Sequence, residues 1–134
     1  MDDREVRELL TEMVTNLDAE TEYQWRHEEF VADMPQSGER IRGRDNMRQL
    51  QRAFPPDQVP TFRVRRIAGS GDVWTLEAVG DYGDEIFLVV CVFEFRDDKI
   101  VRETRYYPQP FDAPEWRAQW VERMDESELL TRPS

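Results

Sequence analysis

Residues 73–107 read VWTLEAVGDYGDEIFLVVCVFEFRDDKIVRETRYY, and this stretch decides the fold. Two short turn signals punctuate it, Gly83-Asp84 and Asp97-Asp98. Glycine adopts positive φ without a Cβ clash, and aspartate tolerates it while bonding its own backbone. The stretch therefore predicts three consecutive antiparallel strands. The middle strand, Ile86–Phe95, is apolar at nearly every position. A strand with one face in water alternates, whereas one covered on both faces does not. The meander is expected to carry a layer on each side, one from its own chain and the other from more of that chain or from a second copy.

Turn placement gives an expected register. A two-residue loop at Asp97-Asp98 sets Phe95 against Ile100, Phe93 against Arg102, Cys91 against Thr104 and Val89 against Tyr106. A two-residue loop at Gly83-Asp84 sets Leu76 against Cys91 and Trp74 against Phe93. One face then holds Trp74, Leu76, Val89, Cys91, Phe93, Arg102, Thr104 and Tyr106; being the more aromatic, it is assigned to the concave side. The other holds Leu88, Val90 and Val92 among Glu77, Glu94, Glu103 and Arg105, which suits a homodimer interface with a polar rim.

Outward from the meander, Val6, Leu9, Leu10, Met13, Val14 and Leu17 recur at helical spacing and predict a first helix over residues 3–17. A second helix is expected over Ala19–His27, a short strand over Phe30–Met34, and a returning strand over Glu39–Arg42. A third helix opens at Arg44 or Asp45 and runs to Ala53. Pro55, Pro56 and Pro60 make the next segment a loop, and Thr61–Ile67 is a strand. Asp112, Pro114 and Glu115 signal the start of a last helix to Met124, with Trp116 and Trp120 on one face packing it onto the body. Residues 125–134 form a charged tail. Helices followed by a run of antiparallel strands indicate an α+β fold, expected as one domain over 1–134.

The formal net charge of -11 repels phosphate backbones and anionic lipid, so neither nucleic acid nor membrane is an expected partner. Cys91 is the only cysteine, which excludes an internal disulfide. The amino-terminal MDDREVRELL lacks an apolar signal core and no segment reaches bilayer-spanning length, so a cytoplasmic location is expected.

Three motifs carry a resemblance: PQSGERIRGRDNMR at 35–48, FEFRDDKIVRETRYY at 93–107 and PFDAPEWRAQW at 110–120. With this element order, the chain resembles the SnoaL-like branch of the nuclear transport factor 2-like superfamily. The resemblance implies a curved antiparallel sheet forming a cone, closed by amino-terminal helices and a carboxy-terminal helix around a pocket. It also implies a homodimer through the convex sheet face. Relatives include polyketide cyclases, ketosteroid isomerases, epoxide hydrolases and non-catalytic binding proteins, so one fold serves many chemistries.

Candidate site residues follow from the expected concave face. Arg102 there needs a carboxylate partner, Asp33 or Glu39, or an anionic ligand. Tyr106 is either a core hydroxyl or a proton donor. Asp33 sits in an otherwise apolar strand where burial would raise its pKa, unless alternation leaves it outside. His27, the only histidine, is either a helix-end residue or the general base. Tyr23, Trp74, Phe93, Thr104 and Trp116 are the expected ligand-binding wall. Ligand spacing for a metal, a phosphate loop and a nucleophile elbow are all lacking, so no cofactor is expected. Two functions compete: a cofactor-free isomerase, cyclase or hydrolase for a small hydrophobic, polyketide-like or steroid-like molecule, and a non-catalytic binding or accessory module.

Overall fold

A computed structural model describes residues 1–83 and 85–130. Its elements are α1 (Asp3–Thr15), α2 (Ala19–Trp25), β1 (Arg26–Met34), β2 (Glu39–Arg42), α3 (Arg44–Ala53), β3 (Thr61–Ser70), β4 (Val73–Asp81), β5 (Ile86–Arg96), β6 (Lys99–Tyr106) and α4 (Glu126–Leu130), with short 3-10 turns at Pro56–Gln58 and Glu115–Trp120. The strands form one curved, unclosed sheet in the order β2-β1-β6-β5-β4-β3. Every neighbouring pair is antiparallel except β1 and β6, which run parallel. The α+β class and the meander are as expected.

Local chemistry explains the helix starts. Asp2 caps α1 by accepting from Glu5 N–H, while the Glu5 side chain accepts from the Asp2 N–H in return. Asp18 caps α2. Val6, Leu10 and Met13 face inward from α1 and meet the inner face of the sheet. Helices α1 and α2 each end two residues earlier than expected, at Thr15 and Trp25, and two strand boundaries also differ. Strand β1 begins at Arg26, four residues before Phe30, because Arg26 already pairs with β6. Strand β3 continues to Ser70, because Trp74 packs over Gly69; a Cβ there would lie 2.5 Å from the Val73 carbonyl oxygen.

The β4–β5 register is the expected one, Trp74 opposite Phe93 and Leu76 opposite Cys91. Asp84, half of the expected turn pair, lies outside the described residues. The Asp97-Asp98 turn also forms as expected, with φ of 53° and 61°. Beyond it the register departs. Arg96 pairs with Lys99 and Phe95 with Ile100, but a bulge follows, and Glu94 then pairs with Arg102, Phe93 with Glu103, Cys91 with Arg105 and Val90 with Tyr106. One extra residue reverses the facing of every later side chain. Arg102, Thr104 and Tyr106 therefore lie on the outer face, and Glu103, Arg105 and Tyr107 replace them inside.

The carboxy-terminal segment is also not the expected helix. After Tyr106 the chain runs as an irregular arm, and Glu115–Trp120 is only a 3-10 turn. Trp116 is 74% exposed and Trp120 72%, so neither packs onto the body. Prolines 108 and 110 keep the start of the arm irregular, and beyond Pro114 the exposed rings give a short helix no packing to stabilise it. Residues 126–130 form α4 where the charged tail was expected, and residues 131–134 lie outside the described residues.

Arg26 and Glu103 are completely buried and bonded to each other. Removing one partner of a buried pair leaves an uncompensated charge, so Glu103→Gln is expected to cost about 3–5 kcal/mol in urea unfolding. Burial pushes the Glu103 carboxyl up, but Arg105 and Arg26 outweigh it and hold it below its ordinary value. A depressed carboxylate stabilises the fold above the unfolded value of about 4.3 and loses that contribution as pH falls through the folded value. Stability measured by urea titration should thus fall steeply below about pH 4 in the wild type. It should fall less steeply in Glu103→Gln.

Candidate functional site

The inner face of the sheet and the helices enclose a cleft of about 120 Å³. Its walls are Met13, Val14 and Leu17 from the α1 side, Phe62 from β3, Leu76 and Ala78 from β4, and Val89, Cys91 and Phe93 from β5. These are the positions that face inward in the β4–β5 ladder. At its polar end the cleft meets Glu22, Gln51, Arg105 and Tyr107.

Those groups belong to one buried network. Arg26 donates through Nε and Nη2 to Glu103 Oε1, both at 3.2 Å. It also donates to Glu22 Oε1 at 3.3 Å and to Gln51 Oε1 at 3.2 Å. Gln51 Nε2 returns a bond to Glu22 Oε1 at 3.1 Å. Arg105 holds the other Glu103 oxygen, with Nε at 2.9 Å and Nη2 at 2.7 Å. Arg26 also lies 5.0 Å over the Phe30 ring. Two arginines and two glutamates balance in charge when both acids are ionised.

The two acids are tuned apart. Burial raises the Glu22 carboxyl above its ordinary value, and Arg26 and Gln51 only partly oppose it. Glu103, clamped by two guanidiniums, is held down as described above. Burial works against the charge on Arg105, but the Glu103 carboxylate is the main group that favours its protonated form, and the guanidinium stays charged. Glu22 is thus the carboxyl on the cleft wall with the raised proton affinity, the property a general acid or base uses. Burial pushes the Cys91 thiol up to about 11, which makes it an inert part of the wall.

The residues singled out from sequence are dispersed. Asp33 and Arg102 do pair, at 2.5 Å, and Arg40 takes the other Asp33 oxygen at 2.5 Å. They do so on the outer face, away from the cleft, and the Arg40 bond lowers the Asp33 carboxyl when a general base would need it raised. His27 lies on β1, with Nδ1 accepting from Glu29 N–H and Nε2 3.8 Å from Asp97. Tyr23 is covered by Arg44 at 4.4 Å and Arg48 at 3.9 Å. Trp74 is buried in the core and donates its indole N–H to the Gly71 carbonyl. Thr104 and Tyr106 face outward opposite Val92 and Val90, and Trp116 stands in solvent. Of the expected set, Phe93 alone lines the cleft.

Glu22, Gln51 and Arg105 were missed for two reasons. Glu22 lies in a short, acidic helix that reads as solvated. Arg105 follows the bulge, and nothing in KIVRETRYY marks where an extra residue enters. The described residues hold no group of three His, Cys, Asp or Glu able to bind a metal, and no described helix is long and apolar enough to cross a membrane.

The SnoaL-like domain family matches residues 6–103. None of the curated proteins compared matches the sequence. Among solved structures, an NTF-2 like protein of unknown function from Burkholderia xenovorans is 38% identical, with 93% of this chain and 99% of that chain covered and a TM-score of 0.78. A candidate ketosteroid isomerase from Kribbella flavida is 24% identical, with 96% and 93% covered and a TM-score of 0.83. An LEH-like epoxide hydrolase from M. tuberculosis is 23% identical, with 78% and 80% covered and a TM-score of 0.60. The last two bear on the fold alone. With its inner face, its cleft and the family match over most of its length, the chain belongs to the SnoaL-like family of the nuclear transport factor 2-like superfamily.

Proposed function

We propose that the cleft binds a small, mostly apolar molecule carrying one oxygen function, and that Glu22 exchanges a proton with it. The reaction class is cofactor-free isomerisation, cyclisation or hydrolysis. One observation carries the reading: an apolar cleft that ends on a buried carboxyl of raised proton affinity, next to a fixed guanidinium. Arg105 is oriented by both of its bonds to Glu103, so it is positioned to polarise a ligand oxygen while Glu22 moves the proton. Pockets for drug-sized ligands run to about 300–1,000 Å³, so the 120 Å³ here favours a ligand smaller than a steroid. A ketosteroid isomerase candidate and an epoxide hydrolase among proteins of this fold are consistent with proton-transfer chemistry in such a cleft.

One observation favours the non-catalytic alternative. Both buried carboxylates are already engaged, Glu22 through two bonds that its Oε1 accepts from Arg26 and Gln51. A panel of small cyclic ketones and epoxides separates the readings, with binding followed by thermal shift and α-proton exchange or ring opening by NMR. Under the catalytic reading, Glu22→Gln keeps binding and loses turnover by about 100-fold or more. Val14→Trp, which fills the cleft from a half-buried position, abolishes binding. Binding by the wild type without any exchange or opening establishes the accessory role, and binding undiminished in Val14→Trp places the ligand elsewhere.

We also propose that two copies pair through the outer sheet face. Val73, Leu88 and Tyr106 leave apolar surface exposed there, beside the partly buried Val90 and Val92. Light scattering should report a dimer that Val90→Glu dissociates.

A further inference from the structure

The arm beyond Tyr107 does not line the cleft, and it lies beyond the residues that the family match covers. It is tied to its own body near both ends. Gln36 bonds both the N–H and the carbonyl of Tyr107, and the Leu129 carbonyl accepts from Arg65 Nε at 3.0 Å. Between these ties its apolar side chains stand in water: Phe111 is 78% exposed, and Trp116 and Trp120 are similarly bare. Val121 and Met124 are about half exposed. Such a set is an association surface.

We infer that this arm is an exchanged clasp: residues 111–124 of each copy seat their aromatics on the outer sheet face of a second copy. The inference rests on the outer-face dimer proposed above and adds the element that secures it. Three grounds select a second copy. The first is that the arm and the outer face with Val73, Leu88 and Tyr106 both leave apolar surface exposed, and a two-fold axis covers both at once. The second is charge. By register, Arg40, Arg63, Arg66 and Arg102 lie on the outer face of a protein whose net charge is -11, with Asp33, Glu77 and Glu94 among them. Residues 111–124 bring Asp112, Glu115 and Glu122 with them, against Arg117 and Arg123. A net-acidic segment thus meets an outer face on which these arginines outnumber the acids. The third is area. Aromatic side chains carry about 150–250 Å² each, so the three exposed rings leave roughly 450 Å² in water per chain. Over both arms and the surfaces they cover, this reaches roughly 1,800 Å², within the range of stable interfaces.

The test is sedimentation velocity on the full chain at increasing concentration, with tryptophan emission read in parallel. The wild type should dimerise at micromolar concentration, and its emission should move to the blue as Trp116 and Trp120 leave water. The double variant W116S/W120S should weaken the dimer by roughly 30-fold or more, the cost of removing interface tryptophans. It should melt like the wild type where both are monomeric, because the rings touch little of their own chain. A monomeric wild type overturns both the clasp and the outer-face dimer. A dimer undiminished in W116S/W120S overturns the clasp alone, and its loss in Val90→Glu then leaves the outer-face pairing standing. A wild-type dimer that forms without the emission shift also overturns the clasp.

Discussion

Arg26 is fully buried, and the inner end of the fold is arranged around its guanidinium. A buried cation is tolerated only when its donors are matched by acceptors. Here the acceptors come from three elements: Glu22 from α2, Gln51 from α3 and Glu103 from β6. The same residue opens β1 and is therefore the point at which helix gives way to strand. Helices α2 and α3 are short, and polar bonds to Arg26 tie them to β1.

The bulge in β6 serves that network. Without it Arg102 would face the core opposite Phe93, and Glu103 would face water. With it, Glu103 enters the core between two guanidiniums, and Arg102 leaves it to meet Asp33 outside. The single inserted residue thus exchanges an unpaired inner cation for a balanced set. It also delivers Arg105 and Tyr107 to the cleft. Structural stability and site chemistry share one set of atoms, so the Glu103 carboxylate that holds the fold together also aims the guanidinium that faces the cleft.

The two faces of the sheet divide the molecule's work. Inward, apolar residues from β3, β4 and β5 continue the core into a cleft and stop at a tuned carboxyl. Outward, aliphatic positions alternate with ion pairs such as Arg65–Glu77 and Asp33–Arg102. The apolar middle strand reads as continuous because Val89, Cys91 and Phe93 build the core and cleft while Leu88, Val90 and Val92 occupy the outer face.

Much of this was legible in the sequence. Glycine and aspartate turns in residues 73–107 dictated three strands, and the Trp74–Phe93 and Leu76–Cys91 pairings followed from loop length alone. Helical spacing placed α1, and the need of Arg102 for a carboxylate put Asp33 among its candidate partners, although the two meet on the outer face. These inferences held because they rest on local rules of turn geometry, periodicity and charge pairing. What failed was whatever depended on distant partners. A bulge is specified by the pairing it makes possible, here Arg26 with Glu103, 77 residues apart. The functional pocket could not be named before that register was known, since one residue of slip trades Arg102, Thr104 and Tyr106 for Glu103, Arg105 and Tyr107. The arm shows the same division: Pro114 and the tryptophan spacing describe a helix start, but only the tertiary structure reveals that both rings stay largely exposed.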